Sequence, residues 1–276
     1  MPFIESDGAR IKYHIIGRGK PLIFISGLGM DHRVWLYQAS HFFKKSMVVL
    51  FDNRGIGEST YDGKRFSTYT LARDVVNLMD TLGIDKADII GSSLGGMIAQ
   101  EVAINFPDRV DNLVLSSTTA KLERKARRGE FFRNLGKIIS GEVEILIDAD
   151  PEHPIFNRAI NYILQNAYSR DFLIRNKSFA EKLARDYLSK ENYHEILLRQ
   201  VGAALRHDTR NRLNLITAKT LILSGTDDRI IPVENGEKLA RRIKRCKFIK
   251  IKGGSHGLHL ERAEEFNRYV EKFILE

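Results

Sequence analysis

The chain has 276 residues, 43% of them hydrophobic and 29% charged, enough for one large α/β domain or a core carrying an insertion. Its apolar runs reach strand length only, which excludes a helical membrane span, and its single cysteine, Cys246, excludes an internal disulfide framework. The formal net charge of +9 is dispersed, and the densest run, residues 121–128, lacks interleaved aromatics, so it reads as a solvated face and not a nucleic-acid surface.

Residues 3–17 read as a hairpin turning at Asp7-Gly8. Strand-length apolar runs follow at Leu22–Ser26, Met47–Phe51, Ala87–Ile90, Asn112–Ser116, Thr220–Ser224 and Cys246–Ile251. Between them stand helical patterns at Val34–Phe43, Thr70–Leu82, Leu94–Phe106, Val233–Ile243 and Ala263–Leu275. Continuous apolar strands alternating with helices predict an α/β fold, a mostly parallel sheet flanked by helices on both faces. The alternation breaks between about 119 and 212, where helical patterns recur at Phe156–Tyr168, Phe179–Leu188 and Tyr193–Leu205. That stretch holds 18 Lys/Arg against 13 Asp/Glu, about +5 of the total. It is expected to be an inserted helical cap (lid) of 119–212 over a core of 1–118 and 213–276, because ligand sites in such sheets lie at the carboxyl ends of the strands. The N-terminus lacks the basic-then-apolar layout of a signal peptide, so a cytoplasmic location is expected.

The pattern G-x-S-x-G occurs twice. Gly91-Ser92-Ser93-Leu94-Gly95 lies between a strand and a helical pattern, the setting of a nucleophile elbow, where a tight turn exposes the serine to a base. Gly253-Gly254-Ser255-His256-Gly257 also follows a strand, but too near the end of the chain for an acid and a base to follow. Ser93 is therefore read as the nucleophile and Ser255 as a loop residue. A serine needs a base, and the base needs an orienting acid. Of eight histidines, His256 stands in a glycine-rich loop after the last strand, on the sheet edge expected for Ser93; His259 is a weaker candidate. For the acid, Asp227 and Asp228 directly follow the strand Thr220–Ser224. One of the two can accept the Nδ1–H of His256, while the other caps the turn or pairs with Arg229. The order Ser, Asp, His along the chain is that of the α/β-hydrolase arrangement. An oxyanion hole needs two N–H donors. These are expected from Leu94 and from Leu28, in the loop Ser26-Gly27-Leu28-Gly29-Met30.

Together these segments resemble the α/β-hydrolase fold, in its large family of lidded, esterase-like enzymes. The resemblance runs from about 10 to 118 and from 215 to 272, and it also includes Asp52-Asn53-Arg54-Gly55-Ile56-Gly57-Glu58-Ser59 and Phe106-Pro107-Asp108-Arg109-Val110. It implies Asp228 as the acid, three residues after Gly225 and four before Pro232. Where the family often carries His-Gly, this chain has Ser26-Gly27, which keeps the backbone donor. The implied function is a serine hydrolase acting on small-molecule carboxylic esters, with no cofactor, no metal, no nucleic-acid partner and no stable membrane insertion. A lactonase or a carbon–carbon bond hydrolase would use the same triad. A lipase or a non-catalytic binding protein could use the same scaffold. Gly27 and Trp35, beside the oxyanion loop, are expected to touch substrate. Among aromatics of the insertion, Phe131, Phe132, Phe156, Tyr162, Tyr168 and Phe172 are pocket candidates, although aromatics at helical spacing are more often core.

Overall fold

In the hairpin, strand β1 (Phe3–Ser6) turns through Asp7 (φ 44) and Gly8 (φ 82) into β2 (Ala9–Ile16), the positive dihedrals that an Asp-Gly turn supplies. The computed structural model describes residues 2–122, 156–176 and 193–276, together with positions 134, 137 and 178. The predicted helix at 179–188, the aromatics Phe131 and Phe132, the side chain of Phe156 and most of the basic run lie outside the described residues.

Beyond the hairpin come β3 (Lys20–Ile25), a 3-10 turn (His32–Trp35), α1 (Leu36–Phe42), β4 (Ser46–Phe51), α2 (Thr68–Thr81), β5 (Ala87–Ser92), α3 (Leu94–Asn105) and β6 (Val110–Ser116). After the described helices α4 (Phe156–Ala167), α5 (Arg170–Arg175) and α6 (Tyr193–Arg206), the sheet resumes with β7 (Lys219–Gly225). The chain then forms α7 (Glu234–Ala240), β8 (Cys246–Ile251), α8 (Leu258–Glu261) and α9 (Ala263–Leu275). The strand order is β1-β2-β4-β3-β5-β6-β7-β8, parallel from β4 to β8 with β1 and β2 antiparallel at one edge. Central strands read Leu22-Ile23-Phe24-Ile25 and Val48-Val49-Leu50-Phe51 and are buried throughout, as both-face coverage requires. Helix α3 is buried from Leu94 to Ile104, which matches its lack of a polar face.

Where reading and structure differ, local chemistry explains it. The helix expected at Val34–Phe43 starts earlier, as a 3-10 turn, because the Asp31 side chain accepts from Arg33 N–H and caps it. Helices α5 and α8 have six and four residues, too few for a periodicity to show.

The segment between β6 and β7 leaves and re-enters at one root. Thr209 N–H donates to Ala120 O at 2.9 Å, and Lys121 Nζ meets Asp208 Oδ2 at 2.8 Å. Behind them Arg212 forms a two-pronged pair with Glu101 on α3, at 3.0 and 2.9 Å. His207 is 2% exposed there, with Nδ1 3.0 Å from Thr68 Oγ1. Burial pushes its pKa from 6.5 down to about 4, and the nearby Arg212 adds to the effect. The unfolded chain takes up this proton near pH 6.5, whereas the folded chain refuses it until about pH 4. Between those values the unfolded state binds more protons, so stability falls as pH is lowered. The full shift corresponds to roughly 3 kcal/mol. Melting curves should therefore show Tm falling as pH drops through this window, and His207→Gln should flatten the slope. A slope identical in both proteins would refute the assignment.

Candidate active site

The sheet changes winding direction between β3 and β5. From β3 the chain moves outward to β4, then returns to place β5 on the other side. The crevice beyond the carboxyl ends of such a pair is where open α/β sheets bind ligands. Ser26-Gly27-Leu28 leaves β3 at this point and Ser93 leaves β5.

Ser93 has φ 55 and ψ −118, a strained conformation for a residue with a side chain. Its N–H donates to Ser116 O at 2.9 Å, and its carbonyl accepts from Thr118 Oγ1 at 2.7 Å. The flanking glycines let β5, α3 and β3 approach closely. A Cβ on Gly91 would come within 2.2 Å of Gly95 O, and one on Gly95 within 2.1 Å of Ile25 O. Ser255 has none of this strain: among the described residues Asp7, Ser93 and Ser117 are the non-glycine residues with positive φ, and the Ser255 hydroxyl donates to Glu261.

His256 Nδ1 lies 2.9 Å from Asp228 Oδ2 and 3.1 Å from Oδ1. A carboxylate only accepts, so Nδ1 carries a proton, and in the neutral ring Nε2 is the accepting nitrogen. Asp228 Oδ1 also accepts from Ile230 N–H at 2.9 Å and Ile231 N–H at 2.8 Å, which fixes the carboxylate within its own loop. Asp227 is exposed and accepts from Thr226 Oγ1 at 2.8 Å. His259 has both ring nitrogens buried without a hydrogen-bond partner. Burial and the neighbouring His256 push its pKa down to about 3, so it stays neutral.

The Leu28 and Leu94 amides have no acceptor among the described residues. Their loops are held firmly. Asn53 Nδ2 donates to Ser26 O at 3.0 Å and Ser26 Oγ to Asp31 O at 3.1 Å. From the other side, α6 grips Gly29 twice: Gln200 Oε1 accepts its N–H at 2.8 Å, and Tyr193 OH donates to its carbonyl at 3.0 Å. Asp31, His32 and Asp52 lie close enough together to suggest a metal centre. Their carboxylates are already engaged, however: Asp31 by the Arg33 guanidinium, Asp52 by the His32 ring and the N–H groups of His32 and Glu58.

A cleft of about 550 Å³, open to solvent, has Ser93, His256, Gly27 and Leu28 in its wall, with Ile163 and Tyr168 from the inserted helices opposite. A Cβ on Gly27 would lie 3.4 Å from Ser93 Cβ, so Gly27 directly adjoins the Ser93 side chain. Trp35 corrects the sequence expectation. It is fully buried, its ring 4.3 Å from His259 and 5.0 Å from Phe24, and Val34 takes its place in the wall. Tyr168 does line the cleft, packed over Gly257. Tyr162 and Phe172 are partly buried against the core instead.

A family model described as alpha/beta hydrolase fold matches residues 20–263. The chain belongs to this family. This hydrolase is 27% identical to the "Putative carbamate hydrolase RutD" of Caulobacter vibrioides over 97% of its own length and 96% of the relative's. It is 29% identical to the "Putative non-heme bromoperoxidase BpoC" of Mycobacterium tuberculosis over 96% and 97%. The crystal structure of the enol-lactonase from Burkholderia xenovorans superposes with a TM-score of 0.85 across 100% of both chains at 23% identity, which shows a shared fold.

Sequence reasoning missed Tyr193 and Gln200 in this hydrolase. A signal was present: Gln200 is a polar residue on the apolar stripe Ile196, Leu197, Val201 and Ala204 of α6, and it is fully buried.

Proposed function

We propose that the enzyme is a serine hydrolase cleaving carboxylic esters through an acyl-enzyme, with Ser93 as nucleophile, His256 as base and Asp228 as its orienting acid. The observation carrying this reading is the His256–Asp228 pair, which directs Nε2 away from the carboxylate in a cleft wall shared with Ser93, a serine in a strained turn. Ser93 Oγ attacks the acyl carbon while His256 Nε2 takes its proton. The oxyanion forms opposite the N–H groups of Leu28 and Leu94, each contributing about 3 kcal/mol. Collapse expels the alcohol, protonated by His256. Water, deprotonated by the same nitrogen, then attacks the acyl carbon and releases acid and free Ser93. In this reading 119–212 is a cap whose described helices give Ile163 and Tyr168 to the cleft wall and help select the substrate.

Labelling by a fluorophosphonate, which reacts only with an activated serine, tests the nucleophile and separates an enzyme from a binding protein on the same fold. A panel of esters, lactones, aryl carbamates and a vinylogous diketone tests the substrate class. Carbamate or lactone turnover exceeding every ester would move the reading to those acyl compounds, as the names of the relatives suggest.

Gln200 and Tyr193 act as positioning residues for the Leu28 amide. Gln200→Leu should lower kcat about tenfold with KM little changed, since it loosens a donor that matters most in the transition state. A rise in KM at constant kcat would place Gln200 in substrate binding instead.

A further inference from the structure

The loop that carries His256 is held from two sides. Before His256 the core holds it: Gly253 N–H donates to Thr226 Oγ1 at 2.8 Å, and Gly254 O accepts from Asp227 N–H at 2.9 Å. Beyond His256 the helices between β6 and β7 take over. Gly257 N–H donates to Ala167 O, at the end of α4, at 2.8 Å. The next residue, Tyr168, packs so closely on Gly257 that a Cβ there would come within 2.0 Å of Tyr168 Cε1. Gly257 has φ −82, so no left-handed turn demands a glycine at this position; the tyrosine ring does. Phe172 of α5 stacks on that ring, with 5.0 Å between centroids.

The other neighbour of His256 is tied through Glu261. Glu261 Oε2 accepts from the Ser255 hydroxyl and, at 3.4 Å, from the N–H of Ser169, the residue that caps α5. Glu261 N–H donates to Gly257 O at 2.9 Å, so the carboxylate is carried by the turn that it braces. Burial, and after it the Glu261 charge, push the Tyr168 phenol up, which keeps it neutral beside that carboxylate. Residues 255 and 257, on either side of His256, thus meet one corner, 167–169. Asp228 fixes a nitrogen of the imidazole, and this corner fixes the backbone from which the imidazole hangs. Proton transfer needs heavy atoms about 2.6–3.2 Å apart, and a misplacement of about 1 Å costs about 10²-fold.

We infer that the corner 167–169 and Glu261 form a latch that positions His256 for proton transfer, on the reading that His256 is the base. Glu261 is a positioning residue here, through the placement of one oxygen and not through its charge. Tyr168 belongs to the latch and to the cleft wall alike, so the wall that meets the substrate also bears on the loop of the base.

The test compares variants on 4-nitrophenyl esters. Glu261→Ala should lower kcat about tenfold with KM little changed, because Glu261 is not among the described residues lining the cleft. Glu261→Gln should recover most of that loss, since both donors fall on Oε2 and one amide oxygen can accept from both. Gly257→Ala should lower kcat as well, and should do so much less in a Tyr168→Ala background, where the added methyl finds room. Parental kcat in Glu261→Ala, a loss confined to KM, or a Glu261→Gln variant as slow as Glu261→Ala overturns the latch. Thermal melts report whether each variant folds. If Glu261→Ala does not, the Gly257 and Tyr168 cycle decides, and additive losses overturn the latch. His256→Ala separates the two readings. If it is inactive while Glu261→Ala is unimpaired, the latch falls alone; if it keeps the parental activity, His256 is not the base and both readings fall.

Discussion

Ser93→Ala is expected to lower kcat/KM for 4-nitrophenyl esters by on the order of 10⁵-fold and to abolish fluorophosphonate labelling. The size follows from the absence of a substitute. Ser255 is the other serine in a matching motif, and its hydroxyl is committed to Glu261 outside a strained turn. The protein should remain folded, because the Ser93 side chain makes no capping hydrogen bond and alanine inherits the same backbone. Ser93→Gly adds a second check. Glycine tolerates φ 55 without strain, so this inactive variant should be more stable than the parent by about 1 kcal/mol. Substantial ester hydrolysis by Ser93→Ala, or a labelled peptide that lacks Ser93, would end the proposal.

Asp228→Asn should cost on the order of 10³ to 10⁴ in kcat, whereas Asp227→Asn should change little. Asp228 takes three donors: His256 Nδ1–H and the amides of Ile230 and Ile231. An asparagine offers one accepting oxygen and one NH₂ group. If its oxygen keeps the two amides, the NH₂ faces His256 Nδ1 and forces the tautomer that places the proton on Nε2, where it cannot act as a base. If the oxygen turns to His256, the loop loses its internal hydrogen bonds. The exposed Asp227 carboxylate accepts, among the described residues, from the adjacent Thr226 hydroxyl. Comparing kcat and Tm of the two variants separates these roles, and a larger loss in Asp227→Asn would transfer the acid to that residue.

Most of the sheet was legible because each central strand is an uninterrupted apolar run, and Cys246–Ile251 was read to the residue. Strands β3 and β7 begin earlier than their apolar runs, at Lys20 and Lys219, since a polar residue at a strand's start leaves no hydrophobic mark. Ser93, Asp228 and His256 each sit just past a strand end beside glycines or a proline, so local chemistry marks them as candidates. The support of the oxyanion loop is not local. Gln200 and Gly29 are 171 positions apart, and no sequence pattern couples them. Trp35 misled for the opposite reason: it is near the loop in sequence, but Phe24, His259 and Phe266 enclose its ring.

The grip of α6 on Gly29 has a consequence for how such a protein can be rebuilt. Exchanging the helices between β6 and β7 is the direct route to a new specificity, and it would remove Tyr193 and Gln200 along with the old walls. A chimera made this way would lose turnover together with recognition, unless the graft carries its own acceptor and hydroxyl to the same glycine. On the proposed reading, what chooses the molecule and what steadies its reacting carbonyl would be exchanged together.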